Sequence, residues 1–426
     1  MLSNPTPTAR RRFLASFLSL AAAPAEGFSL FGKKRARNLG KVYEYLQDVD
    51  LRIKETGDQR ITIKNVIFSN EKFNGEWGNL DFVDCEFTGL YKIQLDWLVD
   101  CTFTNCSFQG YFGLGDAEDV TFIECTVYGE SSIMSYDKSK DLIFNQCKFI
   151  NNNGDRNHRG SVFGRGEMSF IKCRGKGFVL YSYGKLVLHN FTSDGLMYLG
   201  TASPAEYSDK SKMPYSDFLL DDCDFTLGVA ATNLKLNNFT MRNCKVGIFK
   251  TERSVVRGDM LIENIKEGHL DLSGTHFHGK LTVRNCSFFT PYEGYSFWCR
   301  AIITTHTLIE NVVCGNSPAN VSGRSNEHMT EEKRLPETLN KSFIIRNCDI
   351  PHLHVDWAQT EHLRIENCKC DTLLIRNGRI GKLEIIDCSL KKLDVSNTQV
   401  QEQDVRVPEG CETLSTGSNI KRLPRK

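Results

Sequence analysis

FIIRN CDIPH LHVDW AQTEH LRIEN CKCDT LLIRN GRIGK LEIID CSLKK LDVSN TQVQE, residues 343–402, divides without a gap into twelve blocks of five. The third residues are Ile345, Ile350, Val355, Thr360, Ile365, Cys370, Ile375, Ile380, Ile385, Leu390, Val395 and Val400, of which Thr360 alone is polar. First positions are apolar or small, and positions two, four and five are mostly polar. A helical period of about 3.6 does not produce this pattern, and simple strand alternation breaks at every block join. A chain that turns a corner every five residues does produce it, with positions one and three facing inward. Four such sides make a coil of about 20 residues, and Cys348, Cys368 and Cys388 stand twenty apart. A single coil cannot bury its apolar face alone, so the coils must stack.

The register continues upstream in looser form. Asp84-Cys85, Asn105-Cys106, Glu124-Cys125, Gln146-Cys147, Asp222-Cys223, Asn243-Cys244 and Asn285-Cys286 recur at about one coil each or small multiples of it. Asn264-Ile265 and Asn311-Val312 keep the register with another apolar residue in place of Cys. The length of 426 residues would by itself suggest roughly three domains, but a repeat over 65–402 makes one solenoid. At the block ends, Asn347, Asn367, Asn377, Asp387 and Asn397 suit corners. Asn and Asp tolerate left-handed backbone and can ladder between stacked coils.

Over 343–402 the chain resembles the pentapeptide-repeat proteins, and over 65–342 the broader right-handed β-helix class. The resemblance implies an all-β, four-sided, right-handed parallel β-helix with about 20 residues per coil. An N-terminal helical cap is expected within the 26–64 linker, because Val42, Tyr45, Leu46, Val49 and Ile53 recur at helical spacing. Three insertions are expected, at 151–166, 201–216 and 315–341, followed by a C-terminal cap and basic tail at 403–426.

Residues 1–25 have the form of a signal peptide. Arg10, Arg11 and Arg12 precede Phe13-Leu14, a short apolar run and Pro24-Ala25. The Arg-Arg-x-Phe-Leu order resembles the twin-arginine signal, which implies export to the bacterial periplasm or beyond. Losing this segment would take the formal charge from +1 to −2, a balance that gives no electrostatic reason to expect a nucleic-acid partner. The apolar run is too short to cross a bilayer, which leaves no transmembrane segment in the mature chain. The 16 Cys are expected to be free and to pack inward, since parallel stacking holds neighbours beyond disulfide reach. Cys299, Cys314 and Cys411 fall outside that register.

Two outward clusters are candidate binding residues. The first is His352, His354, Asp356 and Trp357, where His-x-His with an adjacent acid invites a metal or partner contact, with Arg376 one coil on as an ion-pair partner for Asp356. The second is Tyr292, Tyr295 and Trp298, aromatics that stack on sugars or anchor a protein. No catalytic set, metal centre or cofactor is expected. Thr192-Ser193-Asp194-Gly195 and Asp221-Asp222-Cys223 resemble polygalacturonase fragments, but the Gly-His-Gly and Arg-x-Lys of that family do not follow in order. The expected function is a non-enzymatic exported scaffold acting on a macromolecular partner in the cell envelope, such as an inhibitor or immunity-type protein. The alternative is a polysaccharide lyase, glycoside hydrolase or glycan-binding protein using an outer groove.

Overall fold

A computed structural model describes residues 61–69, 76–128, 132–150, 161–176, 179–182, 184–201, 215–232, 234–252, 254–273, 275–289, 294–299, 305–315, 317–321 and 340–420. The signal segment with Arg10, Arg11 and Arg12, the helix expected within 26–64, and Tyr292 lie outside them. Among the described residues there is no helix, and strands pair in parallel with the coils before and after them. The result is a parallel β-solenoid with about 21 residues per turn.

One inward column follows the whole tube. It runs Ile63, Phe82, Phe103, Phe122, Phe144, Phe170, Leu188, Leu220, Met241, Ile262, Val283, Ile309, Ile345, Ile365, Ile385 and Val405. Every member is buried. The four sides inferred from the blocks are all present, since Ile350, Val355 and Ile380 are buried on the other three. The polar exception, Thr360, is also fully buried; its hydroxyl donates to the His362 carbonyl at 3.0 Å and accepts the His362 amide at 3.2 Å. A satisfied hydroxyl replaces a methyl there without an orphaned group.

In the first half of the tube the column is aromatic. Phe82, Phe103, Phe122, Phe144 and Phe170 stack ring on ring at 4.7 Å between centroids. That distance equals the spacing of adjacent strands, so backbone pairing and ring stacking reinforce one another.

Corners explain the residue before most of the Cys, and before Val66. Asn65, Asp84, Asn105, Glu124, Gln146, Asp222, Asn243, Asn285, Asn347, Asn367 and Asp387 all have φ between 51° and 57° or, at Asn367, 50°. This is the left-handed region, where Asn and Asp cost least among residues with a Cβ. The side chains then ladder between rungs, as in Asn264 to Asn243 at 3.0 Å, Asn311 to Asn285 at 2.8 Å and Asn367 to Asn347 at 3.0 Å. The next residue turns its thiol inward. All sixteen cysteines are unbonded and all but Cys411 are buried, Cys299 and Cys314 included. Each corner thiol donates to the rung below, for example Cys125 to the Phe103 carbonyl at 3.2 Å. Burial pushes the Cys286 and Cys314 thiols up to about 12, so they stay protonated and inert.

An alternating charge ladder runs up one outer face. The register places Asp221, Arg242, Glu263, Arg284, Glu310, Arg346 and Glu366 directly above one another. Arg242 reaches Asp221 at 2.9 Å, Arg284 reaches Glu263 at 2.6 Å and Arg346 reaches Glu310 at 2.7 Å. At rung spacing, like neighbours would repel along the full column. Arg284→Glu is therefore expected to destabilise by up to about 1 kcal/mol at low salt, with the loss shrinking as salt rises. Adding Glu263→Arg restores the pair but leaves like charges facing Arg242 and Glu310. Denaturant titration of both variants should show incomplete rescue; full rescue would mean isolated pairs, not a ladder.

The tube also claims residues that composition suggested would leave it. Ser161–Ile171 is a strand, and Ala319–Asn320 is a two-residue rung between Phe297–Trp298 and His352–His354. Rungs this short show no period in sequence. Among the described residues pairing runs from Ile61–Lys64 to Glu412–Leu414, which lies on Lys392, Leu393 and Asp394.

Candidate functional site

Strand Phe297–Trp298 turns Phe297 fully inward, so the next side chain, Trp298, faces outward. Its partners in the register are Asp271 below and Asn320 above, and Asn320 in turn lies under His354. Trp298 and His354 therefore share one outward column two rungs apart, about 10 Å. Tyr295 fills that span. Its ring is 5.4 Å from the Trp298 ring and 5.5 Å, edge on, from the His354 ring. The Tyr295 hydroxyl and His354 Nδ1 share a hydrogen bond of 3.3 Å. The two clusters that looked separate in sequence form one surface.

The surface is neutral at its centre. Burial depresses the basicity of His354, and likewise of His269, whose ring also bonds the Tyr295 backbone. Both imidazoles are uncharged near neutral pH. Asp271, 8% exposed, accepts from the Ser273 amide at 2.9 Å and hydroxyl at 2.5 Å. Trp298 Nε1 is buried with no hydrogen-bond partner among the described residues, where an unpaired donor costs free energy.

Asp356 forms the expected ion pair with Arg376, and the pair covers it. It is 8% exposed because Arg376, one rung above, folds over it. Arg376 Nε reaches Oδ1 at 3.0 Å, Nη2 reaches Oδ2 at 2.7 Å, and the Arg376 amide adds a third bond to Oδ1 at 3.0 Å. Both carboxylate oxygens are thus engaged, and Asp356 braces Arg376. His352 is exposed on the same strand as His354. Among the described residues no group of three or more His, Cys, Asp and Glu is arranged to hold a metal ion.

Trp357 occupies a corner at φ 60°, directly below Asn377 and Asn397 at φ 57°. A bulky side chain in left-handed backbone is strained, and the two coils above use the residue that relieves it. Trp357→Asn is expected to raise stability by about 1 kcal/mol by extending the Asn ladder, measured as a higher denaturation midpoint. Unchanged or lower stability would mean that the corner carries no strain.

The fragments that resemble polygalacturonase are structural here. Asp222 is a left-handed corner, Asp221 belongs to the charge ladder and also accepts from Asn243 at 3.0 Å, and Asp194 is paired with Arg174. His269 and Asp271 were not singled out from sequence, whereas the Arg376–Asp356 pair was. Asp271 and Trp298 are neighbours in space but 27 residues apart, so no fixed repeat length aligns them. Tyr295 and Trp298 join His354 as expected types in an unexpected union, whereas Tyr292 falls outside the described residues.

The fold and this wall define a parallel β-solenoid with an outward aromatic–imidazole surface. No protein-family model matches the chain, and neither a curated protein nor a solved structure matches it.

Proposed function

We propose that the protein is an exported, non-enzymatic β-solenoid scaffold whose side wall binds a macromolecular partner in the cell envelope. The supporting observation is the union of Tyr295, Trp298 and His354 on one rigid face, with neutral imidazoles and the adjacent carboxylates already engaged. Large aromatics fixed on a sheet lose little entropy on binding, which is what a central interface anchor needs. The acids of the wall hold neighbouring side chains in place, which fits recognition better than proton transfer. The pentapeptide-like blocks supply the stiff tube on which that wall is mounted. Arg10, Arg11 and Arg12 fit the twin-arginine pathway, which carries folded cargo and so suits a core of unpaired thiols.

The test is photo-crosslinking in intact cells from positions 298 and 354, each placed separately. Both should trap the same partner, and Tyr295→Ala should abolish both products. Different partners from the two positions, or products insensitive to Tyr295→Ala, would refute a single wall. Product release from a polyuronide or other glycan would overturn the non-enzymatic reading in favour of a carbohydrate-active enzyme. Export is checked separately: replacing Arg10, Arg11 and Arg12 by Lys should leave the protein in the cytosol, and unchanged export would reject the signal.

A further inference from the structure

The last complete coils carry a groove that is unrelated to the Tyr295 wall. Strands Gln359–Glu366, Arg379–Ile386 and Gln399–Val405 stack in register, so that Glu361, Gly381 and Gln401 follow one another at a single corner. Gly381 is required there, because a Cβ would sit 2.5 Å from the Glu361 carbonyl oxygen. Around this corner lies an open groove of about 480 Å³, within the ~300–1,000 Å³ of small-ligand sites.

The wall groups are fixed in place. Lys382 is held at 2.9 Å by Glu384, a carboxylate only 9% exposed, and His362 secures the other oxygen of Glu384 at 2.5 Å. Asn419 is locked by two bonds of 2.8 Å to the Val400 backbone, and Gln399 bonds the Gly417 carbonyl at 3.1 Å. By contrast Glu361 and Gln401, on either side of Gly381, are exposed, and their side chains make no hydrogen bond among the described residues. The groove is therefore a rigid frame around unengaged acceptors and a donor. Its charged lining cancels, with Arg379 and Lys382 against Glu361 and Glu402. A strongly charged ligand meets groups of both signs, and the cations already have partners of their own. A ligand whose groups each donate and accept satisfies the frame throughout, and hydroxyls do that.

We propose that this groove is a binding site for a short neutral saccharide, centred on Gly381 and contacted by Glu361 and Gln401. The test is calorimetric titration of the full chain with neutral cello-, xylo- and chito-tetrasaccharides, beside tetragalacturonate and chitosan tetramer. At least one neutral probe should bind. Glu361→Ala combined with Gln401→Ala, both surface changes that leave the core intact, should weaken it at least ~10-fold. Tyr295→Ala should leave the affinity unchanged, so failure here is distinguishable from failure of the wall. Absence of binding by every neutral probe, preference for either charged probe, or full affinity in the double variant would each overturn the assignment.

Discussion

Phe122→Ala should lower the unfolding free energy of the first half of the tube by about 4 kcal/mol. Phe122 is fully buried, stacked at 4.7 Å on Phe103 below and at 4.7 Å on Phe144 above, with Phe108 edge-on at 5.5 Å. In an ordinary core, neighbours relax into part of the space left by a truncation. Here each neighbour's height is fixed by parallel backbone pairing of its own rung, so the gap cannot close along the axis and the cost falls at the upper end of the range. Because a solenoid transmits stability only between adjacent rungs, the damage should be local. Hydrogen exchange should rise around residues 101–150 while the block over 343–402 keeps its protection. A loss under ~1 kcal/mol, or uniform deprotection of the whole chain, would contradict a continuous ring stack.

Asn367→Val should cost about 2 kcal/mol, a large effect for an exposed residue. Two terms combine. A β-branched side chain at φ 50° meets its own backbone, and the bond of 3.0 Å to Asn347 is lost. Asn367→Gly separates them, since glycine adopts the angle freely and lacks only the bond, so its loss should be about half as large or less. Urea titration of the two variants measures both terms. Equal losses for Val and Gly would show that the angle costs nothing and that only the ladder matters.

The parts of the fold that repeat at fixed spacing were legible from the residues. Ile345, Ile365 and Ile385 stack as the blocks required, and the Asn and Asp at block ends occupy left-handed corners for the reason their chemistry suggested. The inward cysteines follow from the same register. What depends on coils of unequal length was hidden. Successive charges of the ladder are separated by 21 residues from Asp221 to Arg242 but by 36 from Glu310 to Arg346, so alternation appears only once the rungs are aligned. Tyr295 and His354 lie 59 residues apart for the same reason. Asp356 shows a further limit: its alternation places it outward, yet the reach of Arg376 from the next coil decides that it is covered.

The tube carries the cysteines inward from Cys85 to Cys388, unpaired. Counting reactive thiols by mass spectrometry, before and after denaturation without reductant, tests that directly. Cys411 is the half-buried exception, so one label in the native protein and sixteen after denaturation are expected. Fewer than sixteen in the denatured chain would reveal disulfides, and several rapid labels in the native protein would place those residues outside the tube; either result would contradict the register.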